Sequence, residues 1–198
     1  GIEEQNAEIK AIVESRETPG FENTIVALDN SGRTLARVKG VFYALTEADT
    51  NDEMSALSEK IAPVLSEHND NIYLNQDLYK RVAAVWQQEQ EGKITLTTEQ
   101  HRLLDKYYKA FIRSGAGLDA GKQNRLREIN KELSTLAITF SNHVLNENNA
   151  YRLVIDNEAE LAGLPEWVKT GAAEEAKAVG KEGKWLFTLQ NRRQICWL

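Results

Sequence analysis

DAGKQNRLREINKELSTLAITFSNHVLNENN, residues 119–149, holds Leu126, Ile129, Leu133, Leu136, Phe140 and Val144 at steps of three and four. That spacing is the period of an α-helix with one apolar stripe, and no proline interrupts it. The stretch predicts a single helix long enough to act as a strut across its domain. Downstream the period changes. Residues 151–155 (YRLVI) read as a strand, Pro165 to Val179 as a helix, and Lys184 to Leu189 as a second strand. A pair of strands is marginal in water by itself, so the reading expects further strand partners from missing sequence.

Upstream, the same period repeats. Ile9, Ile12 and Val13 mark a helix over 3–15. Pro19 suits the first turn of the next helix, read as continuous over about 21–47. Its stripe runs Ile25, Leu28, Gly32, Leu35, Val38, Phe42 and Leu45, with Gly32 expected to admit a close neighbour. Thr50 and Glu53 read as a capping box opening a helix that carries Leu57, Ile61, Val64, Leu65, His68 and Ile72. Pro63 inside it should kink it. A shorter helix follows over about 76–90, closed by Gly92. Thr97 and Gln100 form a second capping box before Leu103, Leu104, Tyr107, Tyr108, Phe111 and Ile112. The fold class is mainly α: an irregular array of long helices with a small β element near the C-terminus. Its expected divisions are a helical region over 1–150, a strand-helix-strand segment over 151–190 and a non-native or out-of-frame tail over 191–198.

Composition narrows the function. A net charge of −6 argues against nucleic acid as a partner, which calls for clustered excess lysine and arginine. No apolar run approaches the length that spans a bilayer, so no membrane partner is expected. The single cysteine, Cys196, permits no internal disulfide, and only Arg192 and Arg193 lie near enough to lower its pKa. The cytoplasm is the default compartment.

The chemistry-bearing residues form no recognisable site. His68, His101 and His143 include no pair at i,i+4 spacing, so no two-histidine zinc face exists. His68 and His143 read as core-edge histidines with hydrogen-bond partners and His101 as exposed in a first turn. Gly115-Ala116-Gly117 lacks both the preceding strand and the third glycine of a phosphate-binding loop. Asp49, Asp52 and Glu53 read as helix-start charges, and Glu174 and Glu175 as a solvated face. Tyr107 and Tyr108 could line a groove but fit a core face at helical spacing. No catalytic, cofactor-binding or metal residue is assigned.

The ordered series of short stretches nevertheless resembles a known family. Residues 21–28 (FENTIVAL) resemble the FxNTIxAL stretch near the front of the thimet oligopeptidase family, and Val41 to Thr46 resemble its VFxxL segment. Residues 50–53 (TNDE) and 71–75 (NIYLN) are similar to stretches of its peptidyl-dipeptidase (dipeptidyl carboxypeptidase) branch. Leu126 to Phe140, residues 161–164 (LAGL) and residues 184–186 (KWL) continue in order to about Gln190.

The resemblance implies a zinc metallopeptidase that releases dipeptides from the C-terminus of short peptides, with a largely helical fold around a channel. The family's HExxH motif and third ligand, a glutamate, lie downstream of the segment matched, so no ligand transfers to this chain. The expected role is therefore a non-catalytic N-terminal fragment forming part of the substrate-channel wall. Zinc and the catalytic domain, an intramolecular partner, would come from the full-length parent, and this chain alone is expected to be inactive. The alternative is a free-standing helical interaction module. Residues 191–198 (NRRQICWL) depart from the family pattern and read as a truncation scar.

Overall fold

Residues 1–189 are described by the computed structural model. The tail 191–198, with Arg192, Arg193 and Cys196, lies outside the described residues. The described chain divides into two compact units, Gly1–Ile138 and Thr139–Leu198.

The first unit opens with helix α1, Ile2–Glu14, whose Ile9 and Ile12 are buried. Its C-terminal exit is pinned from outside: the Arg81 guanidinium donates to the Ser15 carbonyl at 3.0 Å and the Glu17 carbonyl at 3.3 Å. The Gln88 amide donates to the Pro19 carbonyl at 2.9 Å. Pro19 therefore sits in this connection, ahead of the helix that follows. The span expected as one helix over 21–47 is three pieces. Phe21–Val26 is a π-helical turn, α2 is Ala27–Asn30, and α3 is Arg33–Ala48. The break falls at Gly32, whose φ of 71° is left-handed and strained for any residue with a Cβ. Gly32 does admit a close neighbour, but it is the Gln5 side chain of α1.

Helix α4 is Asp52–Tyr73 and runs on through Pro63 as one element. Its cap lies one residue beyond the expected Thr50: the Asn51 side chain accepts from the Met54 amide at 2.9 Å. Asn is at least as good a cap as Thr, and here the Thr50 hydroxyl instead lies 3.4 Å from Ser55 Oγ. Asp49 ends α3 and opens nothing. Helix α5, Gln76–Gln90, is capped by Asn75, and α6, Thr98–Arg113, carries the Thr97–Gln100 box in both directions. Helix α7 is Ala120–Ala150, matching the long helix of the opening stretch.

The core of this unit gathers on α1, α5 and α6. Ile25, Leu78, Val82, Leu104 and Phe111 are fully excluded from water. Trp86 stacks on Tyr108 at a centroid distance of 4.4 Å. The stripes of α3 and α7 behave differently: no α3 residue is buried, and the only buried residue of α7 is Gln123.

In the second unit, β1, Leu153–Ile155, pairs antiparallel with β2, Trp185–Phe187, in the register Leu153 to Phe187 and Ile155 to Trp185. Between them lie a 3-10 turn, Glu158–Leu161, and α8, Glu166–Ala178. Leu161, Val168, Ala172 and Phe187 form its core. The strand pair was expected to need more strands; here α8 packs on β2 and supplies the apolar cover.

Candidate functional site

The Ser31-Gly32 break gathers a polar cluster in the first unit. Breaking a helix frees backbone groups, and α1 answers them with side chains. Glu8 Oε2 accepts from the Gly32 amide at 2.7 Å. The Ser31 hydroxyl donates to the Leu28 carbonyl at 2.8 Å and accepts from Gln5 Nε2 at 3.3 Å. Glu4 accepts from the Thr34 hydroxyl at 3.0 Å.

Gln5 also reaches α4. Its Oε1 lies 2.8 Å from His68 Nε2. An amide oxygen only accepts, so the network assigns the imidazole proton to Nε2. Nδ1 is buried with no hydrogen-bond partner. Burial first, and the nearby Lys39 charge second, hold the His68 pKa below its ordinary value. His68 is thus the core-edge histidine that its place in the stripe predicts. Beside it, the Tyr107 hydroxyl donates to Asp29 Oδ1 at 2.8 Å. Burial, then that bond, pushes the phenol well above its ordinary value. These groups line a pocket of about 210 Å³ floored by Leu65 and Ile72. Tyr107 therefore serves both expected roles, packed against the core and edging a pocket, while Tyr108 stacks inside.

This pocket holds no relay for catalysis. Gln5 stands between Ser31 and His68, and the Ser31 hydroxyl proton goes to a backbone carbonyl, so no base activates the hydroxyl. A second polar seam joins α4 to α7. Asp70, itself buried, accepts from Asn130 Nδ2 at 2.8 Å, and Arg127 donates to Asn71 at 2.9 Å. Burial raises the Asp70 pKa, opposed by the Asn130 bond and the Arg127 charge. A cleft of about 540 Å³ opens there between Asp70, Arg113 and Leu133. Neither Gln5 nor Asp70 stands out in the sequence, because each sits in a polar stretch and only the fold buries Asp70 and half-buries Gln5.

The remaining candidates separate. His101 is exposed and pairs with Glu89 at 2.7 Å. His143 is exposed on α7, which corrects its reading as a core-edge residue: α7 leaves that side uncovered. Glu174 and Glu175 are exposed as expected. The amides of the Gly115-Ala116 loop are spent on the end of α6, donating to Ile112 and Phe111, while Gln76 and Gln123 donate to its carbonyls.

Zinc, implied by the family resemblance, does not fit these residues. Among the described residues no three His, Cys, Asp or Glu side chains group to hold an ion, and His68 is committed to Gln5. No helix among them is long and apolar enough to cross a membrane.

The dipeptidyl carboxypeptidase of Escherichia coli K12 is 39% identical over 194 residues, which cover 98% of this chain and 28% of that protein. Its Salmonella typhimurium counterpart matches to the same extent. The oligopeptidase A of Salmonella typhimurium is 30% identical over 92% of this chain and 26% of its own length. The chain thus spans little more than a quarter of the curated relatives it matches. No protein-family model matches it.

Proposed function

We propose that this chain, whose sequence matches dipeptidyl carboxypeptidase and oligopeptidase A of the thimet oligopeptidase family, is the non-catalytic front part of a zinc-dependent peptidyl-dipeptidase. In that role its helices form part of the wall of a channel that admits short peptides. The remainder of the longer protein supplies the metal ligands and the chemistry at the scissile bond, and acts as this segment's intramolecular partner. The cytoplasm is the setting this reading takes.

One observation carries it: the identity to dipeptidyl carboxypeptidase runs over 98% of the chain, through both units, while the described residues group no metal ligands. A free-standing interaction module would also expose apolar helix faces, but gives no reason for a match over nearly the whole chain.

The test is an N-blocked tripeptide incubated with the purified chain and added zinc. No dipeptide release is expected; robust, chelator-sensitive release would overturn the proposal. The positive arm is a hybrid in which this chain replaces the 194 aligned residues of the Escherichia coli protein. Chelator-sensitive release of a C-terminal dipeptide by the hybrid is the expected result.

A further inference from the structure

The pocket beside the Ser31-Gly32 break makes demands that this chain does not meet. Two opposite charges line it, Asp29 of α2 and Lys39 of α3. They form no ion pair with each other, and Lys39 has none with any other described residue. The Tyr107 hydroxyl engages only Asp29 Oδ1, which steadies the carboxylate and leaves Oδ2 to accept. The third group is His68, also on the lining and only 6% exposed. Its Nε2 proton is committed to Gln5, so Nδ1 is a lone-pair acceptor, and it is buried with no partner. A buried acceptor without a donor costs free energy and calls for an explanation. Apolar residues, Leu28, Leu65 and Ile72 among them, complete the wall. Exposed charges alone would be ordinary solvated surface. Here they share one concave pocket with a buried polar atom that lacks a partner.

We infer that this pocket binds a small zwitterion of the free α-amino-acid class with an apolar side chain. The ligand's ammonium donates to Asp29 Oδ2 and His68 Nδ1, its carboxylate accepts from Lys39, and its side chain lies against Leu28, Leu65 and Ile72. An ammonium carries three N–H donors, so one group serves both acceptors. A simple anion would satisfy Lys39, but Asp29 would repel it and Nδ1 would still lack a donor. A simple amine would serve Asp29 and His68 and leave Lys39 facing a like charge. A molecule of both signs answers all three. At about 210 Å³ the pocket is smaller than the about 300–1,000 Å³ typical of sites for drug-sized ligands, which fits a ligand of this size. Contact with Nδ1 requires neighbouring side chains to shift slightly, and Lys39, exposed on a flexible stem, is able to do so. The inference stands on the pocket and does not depend on the proposed function.

Titration of the isotope-labelled chain with L-leucine, followed by amide and imidazole resonances, tests this directly. Saturable shifts are expected at Gly32 and His68, with a Kd on the order of 1 mM. The His68 Nδ1 resonance should move upfield as that atom accepts a hydrogen bond. N-acetyl-leucine, which lacks the ammonium, and leucinamide, which lacks the carboxylate, should each bind at least about fivefold more weakly. Asp29→Asn keeps an oxygen for Tyr107 and should weaken leucine binding by about tenfold. Lys39→Met, at an exposed site, should weaken it by about threefold. Arg102→Glu, on exposed α6 surface, should change nothing. Each variant is read below its own thermal midpoint, so lost stability does not pass for lost binding. No saturable shift, or analogues that bind as tightly as leucine, overturns the inference. A leucyl dipeptide that binds more tightly than leucine would assign the pocket to a peptide end and overturn it as well. The hybrid with the Escherichia coli protein separates this inference from the proposed function. Leucine binding by a hybrid that releases no dipeptide supports the inference while the proposed function fails; dipeptide release by a hybrid that binds no leucine overturns the inference alone.

Discussion

Gly32 and Gly92 share a backbone conformation and differ in surroundings, which makes them a matched pair. Their φ values are 71° and 69°. A Cβ at Gly92 would meet nothing within 4 Å; at Gly32 it would lie 2.3 Å from Gln5 Cδ. Left-handed backbone costs an alanine about 1–2 kcal/mol. Restricting the unfolded chain returns about 0.4–1 kcal/mol. Gly92→Ala should therefore lose about 1 kcal/mol. Gly32→Ala carries the same backbone cost and must also expel the Gln5 side chain. That chain end is flexible and can swing away, but it leaves the buried His68 ring without its hydrogen bond. An orphaned buried polar group costs about 1–3 kcal/mol, so Gly32→Ala should lose about 2–4 kcal/mol in all. Urea unfolding followed by circular dichroism at one temperature measures both. The decisive comparison is the double variant. In a Gln5→Ala background the obstruction is gone, and Gly32→Ala should cost no more than Gly92→Ala does. Equal losses for the two single glycine variants, or a Gly32 cost that persists without Gln5, would refute the reasoning.

Two further outcomes follow from the same structure. His68 has a folded-state pKa below the ordinary 6.5, so the unfolded chain takes up its proton first as pH falls. Stability from this residue is full above pH 6.5 and is lost as pH drops from there through the folded value; His68→Gln should flatten that part of a stability–pH curve, and an unchanged slope would remove His68 as its source. At the start of α4, Asn51→Ala should lose about 1 kcal/mol while Thr50→Ala stays within about 0.5 kcal/mol, read by urea midpoints, because the cap bond runs from Asn51; the reverse order would restore the Thr50 box.

Sequence period located the helices well because it reports which residues recur on one face. The bounds of α5 and α7 fall within a residue of those expected, and the Thr97–Gln100 box that opens α6 closes as its pattern requires. What period does not carry is long-range pairing. The Gly32 break looks continuous in sequence because Leu28 and Leu35 keep helical spacing across it. Helix α1, placed alongside by folding, meets the left-handed turn with the Glu8 and Glu4 carboxylates as acceptors and the Gln5 amide as donor. The polar cluster was illegible for the same reason. Gln5 and His68 are 63 positions apart, and neither announces the other. The Asn51 cap was missed over one residue, where Thr50 and Asn51 are both good caps and local geometry decides.

The apolar stripes make the deeper point. The α6 and α7 stripes look alike in sequence, yet Leu104 and Phe111 of α6 are sealed while Leu133 and Leu136 of α7 are more than half exposed. Helical spacing states that a face seeks cover; it does not state where the cover is encoded. For α6 the cover lies within this chain, in α5 and the π-helical turn before α2. Val38, Val41 and Leu45, along one edge of the α3 stripe, stay 62%, 64% and 56% exposed. On the proposed function, the cover for such stripes is encoded in the remainder of a longer polypeptide. The hydrophobic term that should fix α3 in place is then realised only when that polypeptide is present. It follows that α3 should exchange its amide hydrogens faster in the isolated chain than α5 does, and slow toward α5 in the hybrid. Equal protection of α3 and α5 in the isolated chain would mean that α3 is held by the contacts it already has, and that its outer stripe is ordinary exposed surface.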